Sequence, residues 1–208
     1  MPIDANGNII PDFGGAPGPA STGEDVAAGG GGGAGYAPGY SGPRKIAFIC
    51  SKGNLDMAYP ALIMANAALG EGIKVDIFFT FWGLDMVDVR MMDNLKFTLS
   101  GNTAMHMADL ERFKGGAAKW SMPQFMGVLP GMTGFATRMM KAQMADLEIP
   151  TVREMIEQLD AMGANMWGCK LTVDMMKIKE AQLHPAVKAV ISATDFIEIS
   201  EGAQIIFI

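Results

Sequence analysis

Two short apolar runs, Arg44 to Cys50 and Ile73 to Trp82, flank an Ala-rich segment from Leu55 to Leu69. Both runs are short, mostly apolar and rich in β-branched and aromatic residues, as expected of a strand buried on both faces. The segment between them reads as a helix. Pro60 falls in its first turn, where a missing N–H costs little, and Gly70 and Gly72 follow its end. Two strands joined through a helix need a crossover connection, so they lie parallel. The expected class is therefore α/β, built on a parallel sheet.

The C-terminal part continues this alternation. Thr151 and Glu154 form a capping-box pair after Pro150, and Val152, Met155, Ile156, Leu159 and Met162 make one apolar face ending at Gly163. Ala164 to Ile178 reads as a short strand, a turn at Gly168, and a helix from Cys169, with Leu171, Met175 and Ile178 along its inner side. His184-Pro185 marks a connection. Val187 to Ser192 reads as a strand, Ala193 to Glu201 as a helix and Gln204 to Ile208 as a last strand.

Residues 83–149 interrupt the pattern with a Met-rich stretch expected to be mostly helical. Phe135, Met139, Met140, Met144 and Leu147 share one side of a helix over Gly134 to Leu147. The eighteen residues Trp120 to Thr137 carry no charge, a length that raises membrane contact. Two prolines and three glycines argue against a regular spanning helix and for a buried or partner-facing hairpin. Residues 1–43, rich in Gly, Pro, Ala and Ser, offer too little apolar surface to offset the entropy of ordering and read as a disordered tail. The expected organisation is this tail, followed by an α/β domain over 44–208 with an insertion at about 83–149.

Net charge is −6 and no basic cluster stands out, which excludes a nucleic-acid surface built on many Lys and Arg contacts. The two cysteines, Cys50 and Cys169, do not make a disulfide framework and fit a reducing compartment. The first basic residue is Arg44, so the charged n-region of a signal peptide is missing, and the expected location is the cytoplasm.

Catalytic sets are sparse. The two histidines, His106 and His184, are not spaced with each other or with a cysteine as metal ligands, and no metal or cofactor is expected. Asp76, Asp85 and Asp88 read as capping or solvated carboxylates. The loop Ser51-Lys52-Gly53-Asn54 opens a helix and could hold an anion, but it lacks G-x-G-x-x-G or Walker spacing. The strongest candidate is Cys169. At a helix start its sulfur faces free N–H groups and the positive dipole end, both of which favour the thiolate. Lys170 adds a cation, and Gly168 leaves room for close approach. The structural alternative is a buried cysteine packing as a small hydrophobe. Cys50, at the carboxyl end of the first strand, is either a redox partner for Cys169 or a second structural thiol.

Phe78-Phe79-Thr80-Phe81-Trp82-Gly83-Leu84-Asp85, Pro130-Gly131-Met132-Thr133 and Trp167-Gly168-Cys169 together resemble the DsrE/DsrF-like family. They are closest to its larger, insertion-bearing branch, found beside rhodanese-like and TusA-like sulfurtransferases. The resemblance covers about residues 44–208. It implies a flavodoxin-like parallel sheet with helices on both faces, usually in homo-oligomers, and carriage of sulfane sulfur as a cysteine persulfide. Cys169 matches the sulfur-binding position; Cys50 matches none with a function. Some members of the branch associate with membranes through the insertion, here 120–137. A carrier works by reversible thiolate exchange and needs no general acid or base. The alternatives are a non-catalytic oligomeric or membrane-associated scaffold and a flavin or nucleotide binder at the same sheet edge.

Overall fold

In the computed structural model the described residues are 44–101 and 124–208. The expected tail over 1–43 lies outside them, as do His106 and the start of the uncharged run.

Five strands, β1 (Lys45–Cys50), β2 (Lys74–Phe79), β3 (Asn165–Cys169), β4 (Val187–Ile191) and β5 (Gln204–Phe207), form one all-parallel sheet in the order β4-β3-β2-β1-β5. From β1 to β4 the chain steps in one direction. It then returns past β1 to place β5 on the far side. A right-handed crossover that reverses direction must lay its helix on the opposite face. Accordingly α1 (Leu55–Gly70) and α3 (Val152–Ala161) pack together on one face, while α5 (Ala193–Ile199) lies on the other. Helices cover both faces, the layered architecture that the flavodoxin-like resemblance implied.

Strand alternation sorts the buried side chains into two cores. Phe48, Cys50, Ile77, Phe79 and Met166 meet the alanines of α1 and the apolar stripe of α3 in the larger one. Ala47, Phe78 and Cys169 meet Phe196 of α5 in the smaller, where the Phe78 and Phe196 rings stack with centroids 4.5 Å apart. The capping box at Thr151 is formed as expected and its Oγ1 accepts from the Glu154 amide at 3.3 Å. Met162, however, is exposed beyond the helix end.

Five expectations need correcting. β2 stops at Phe79, not Trp82: its last ladder partners are Cys50 of β1 and Gly168 of β3, and beyond them Phe81–Met86 turns into a 3-10 helix. Gly168 lies inside β3 and makes no turn. Among the described residues after 83, the stretch up to residue 101 is less helical than its pattern suggests. Leu95, Phe97 and Leu99 are buried on alternate positions of an extended strap, tied by the Phe97 amide to Thr137 Oγ1 at 3.0 Å. Helix α2 (Met132–Asp146) turns Ala136 and Thr137 inward and leaves Phe135 and Leu147 exposed. In α4 (Lys170–Met176) the inward pair is Thr172 and Val173, while Leu171 is 71% exposed and Met175 also faces out. A two-turn helix has no face of its own to enforce; the neighbours it packs against choose the side.

The carboxylates differ too. Asp76 and Asp88 are buried rather than solvated, and each is paired with a cation: Asp76 with Lys45 at 3.3 Å and Asp88 with Arg90.

Candidate functional site

Cys169 ends β3 and is the N-cap of α4. It is 5% exposed, at the carboxyl edge of the sheet. Its side chain makes no formal cap hydrogen bond, but the amides of Leu171 and Thr172 lie near enough to act on the sulfur electrostatically. Burial pulls the thiol pKa up. The Thr172 and Thr80 hydroxyls, with those two amides, outweigh burial and hold the thiol below its ordinary value. Lys170, the cation expected to help, points outward and pairs with Asp174 at 3.7 Å.

The two hydroxyls come from different elements. Thr80 follows β2, and Thr172 stands at the third position of α4. Their oxygens are 3.3 Å apart, and the Phe81 amide donates to Thr172 Oγ1 at 3.1 Å. Phe81 itself sits at φ 46°, a left-handed conformation that a bulky residue adopts only under constraint. Its ring stacks on Trp82, and both are exposed beside the site.

Cys50 is placed differently. It is 1% exposed in the larger core, on the opposite face of the sheet from Cys169, and burial pushes its pKa up to about 12. The surroundings of the two thiols are thus opposite in kind: one is buried without donors, the other buried among them.

Gly168 faces away from the sulfur, where an added Cβ would meet Val190, Leu183 and Leu84 at ordinary contact distances. The loop Ser51–Asn54 also serves the chain itself. The Ser51 amide and hydroxyl both donate to the Ile208 carbonyl, at 2.7 and 3.0 Å, and Gly53 presses against the Trp82 carbonyl. His184 braces a connection: its Nδ1 accepts from the Ala186 amide at 3.3 Å and its Nε2 is 3.7 Å from Glu157. Among the described residues no three His, Cys, Asp or Glu side chains converge as a metal site.

A family model described as DsrE/DsrF/DrsH-like matches residues 43–208. The chain belongs to this family. Within the DsrE/DsrF/DrsH-like family, it is 35% identical over 145 residues to the sulfur carrier protein DsrE2 of Allochromatium vinosum, covering 70% of this chain and 86% of that protein. It is 23% identical over 165 residues to YrkE of Bacillus subtilis, an uncharacterized protein, covering 79% and 97% of the two chains. A solved structure of MTH1491 from Methanobacterium thermoautotrophicum, of unknown function, aligns with a TM-score of 0.45 at 9% identity, over 79% of this chain and 99% of that one.

The sequence alone does not mark Thr80 and Thr172 as site residues. Thr172 carries a weak local signal, standing three residues after Cys169 where an N-cap side chain and its third helical residue meet. Thr80 carries none, because only the pairing of β2 with β3 brings it there.

Proposed function

We propose that this DsrE/DsrF/DrsH-like protein carries sulfane sulfur as a persulfide on Cys169, exchanging it with rhodanese-like and TusA-like sulfurtransferases in the cytoplasm. The observation that supports this most is a thiol held below its ordinary pKa although its sulfur is buried, by donors converging from the turn after β2 and from α4. The sulfur carrier among its relatives supports the same reading. In loading, the Cys169 thiolate attacks the outer sulfur of a donor persulfide, R–S–SH. The donor's S–S bond breaks, R–S⁻ leaves with the electron pair, and Cys169–S–SH forms. Delivery is the same exchange run toward an acceptor thiolate, so no net oxidation occurs and no general acid or base is required. Such a protein is a carrier rather than a turnover enzyme, and a homo-oligomer is its proposed working form.

The test is mass spectrometry after incubation with polysulfide. The parent gains whole sulfur atoms, removed by a reducing thiol, and Cys169→Ser gains none. A gain that survives Cys169→Ser overturns the reading.

A second reading concerns the insertion. Phe125 and Val128 are 69% and 80% exposed, and Leu129 and Phe135 are exposed close by in the chain. No helix among the described residues is long and apolar enough to cross a membrane. This surface therefore suits a scaffold that meets a partner or a bilayer interface. Flotation with anionic vesicles, lost on Phe125→Ser with Val128→Ser, is the expected result for the bilayer; no flotation of the parent removes that version.

A further inference from the structure

We propose that Thr172 is a positioning residue for the Cys169 sulfur, its hydroxyl braced by the Phe81 amide and the Thr80 hydroxyl so that it donates to the sulfur. The inference rests on Cys169 as the sulfur-carrying group and names what makes that position work.

The hydrogen-bond inventory favours it. Thr172 is 1% exposed, so its hydroxyl is shielded from bulk solvent. A hydroxyl has one hydrogen and two acceptor positions. The Phe81 N–H fills one acceptor position of Thr172 Oγ1, at 3.1 Å. Thr80 Oγ1, at 3.3 Å, shares one hydrogen with it at most, yet the pair holds two. One hydroxyl hydrogen of the pair is thus left over; with Thr80 filling the second acceptor position of Thr172, it is Thr172's own, and Cys169, the N-cap three residues earlier, is the group set to receive it. A thiolate, or the inner sulfur of a persulfide, accepts such a hydrogen; a neutral S–H is a poor match for two donors. An N–H that donates into Thr172 also polarises its O–H and strengthens the onward bond.

The backbone points the same way. Phe81 is held at φ 46°, and strain of that kind persists only where the surroundings over-determine it. The Phe81 amide reaches Thr172 in this conformation. The arrangement is consistent with a turn after β2 shaped to present a donor to Thr172.

The experiment follows alkylation of Cys169 by iodoacetamide against pH, with the labelled peptide identified by mass. Thr172→Val keeps the shape of the side chain and removes the donor. It should slow alkylation about tenfold at neutral pH, the scale of one hydrogen bond to a charged group, and move the midpoint upward. Thr172→Ser keeps the hydroxyl and should restore the parent profile. Thr80→Val should shift the midpoint in the same direction by less. A folded Thr172→Val with the parent's midpoint overturns the proposal. If Thr172→Val does not fold, an unshifted midpoint in Thr80→Val overturns it instead. The two readings separate cleanly. Failure of the parent to gain sulfur from polysulfide sinks the carrier role, whatever the alkylation shows. A parent that loads sulfur, with Thr172→Val titrating as the parent does, sinks only the role of Thr172.

Discussion

Gly83 lies directly against the carbonyl of Cys50, closer than any side-chain carbon could come. Gly53 makes the reciprocal contact, pressing on the carbonyl of Trp82. The loop after β1 and the turn after β2 are thereby locked together, with the Thr80 amide donating to the Cys50 carbonyl at 2.9 Å. This lock fixes where Thr80 and Phe81 stand relative to Cys169. Gly83→Ala puts a methyl group onto backbone atoms that cannot rotate away. It should cost roughly 1–3 kcal/mol, read as a lower urea midpoint, as overpacked sites generally do. Cys169 alkylation should slow in the same variant. An unchanged midpoint would show that the two loops can part without loss.

The two thiols should behave oppositely in the native protein. Cys169, held below the ordinary thiol pKa by its donors despite burial, should label first with iodoacetamide. Cys50, pushed up to about 12 by burial, should label only once denaturant opens the larger core. The pH dependence follows from the direction of the Cys169 shift. Its folded pKa lies below its unfolded one, so its ionisation stabilises the fold above the unfolded pKa, and that contribution is lost as pH falls through the folded value. Relative to Cys169→Ala, the parent should gain stability as pH rises between those two values. A flat difference across that window would show that the thiol is not perturbed.

The features legible in the sequence are the local ones. The Thr151 capping box, the Gly163 stop and the helix between β1 and β2 involve residues a few positions apart, and the structure repeats them. Cys169 at a strand-to-helix junction is legible for the same reason. What escapes is decided by elements distant in the chain. The apolar run from Ile73 to Trp82 looks like one strand, but its pairing with β1 and β3 stops at Phe79. Leu171 and Met175 have helical spacing and still face outward, because Thr172 is turned to Thr80 and Val173 to the larger core. The donors around Cys169 follow the same logic: Thr80 is 89 positions away in sequence (169 less 80) and arrives through sheet pairing alone.

Under α5, Asp76 is fully buried between Lys45 and Trp167. Trp167 Nε1 donates to one carboxylate oxygen at 3.2 Å, and the Lys45 ammonium lies 3.3 Å from the other while also donating to the Ile199 carbonyl. The second oxygen has no well-aligned hydrogen bond, so it depends on Lys45 for compensation. Lys45→Met should therefore be costly, about 3–5 kcal/mol, because it leaves a buried charge alone. Adding Asp76→Leu to Lys45→Met should recover part of that loss. Denaturant midpoints of the two variants decide the matter. A double variant no better than Lys45→Met would mean that the lysine's contact with Ile199, not its charge, matters.

Phe81→Gly separates strain from packing at the site. Truncating a phenylalanine inside a core costs about 3–5 kcal/mol. Phe81 is half exposed, its ring resting on Trp82, and its backbone is held in the left-handed region. Glycine adopts that conformation freely, relieving roughly 1–2 kcal/mol of backbone strain. Against this stand the lost ring contact and the greater freedom of glycine in the unfolded chain, about 0.4–1 kcal/mol. The terms nearly cancel, so the variant should match the parent's stability within about 0.5 kcal/mol, near the error of such sums. Its amide still reaches Thr172, so alkylation of Cys169 should keep the parent's pH midpoint. What should change is exchange with a protein: loading from small polysulfides should be retained, whereas loading from a persulfidated sulfurtransferase should slow, because the stacked aromatic pair beside the sulfur is gone. Equal slowing with both donors would place the effect on the sulfur itself and not on docking.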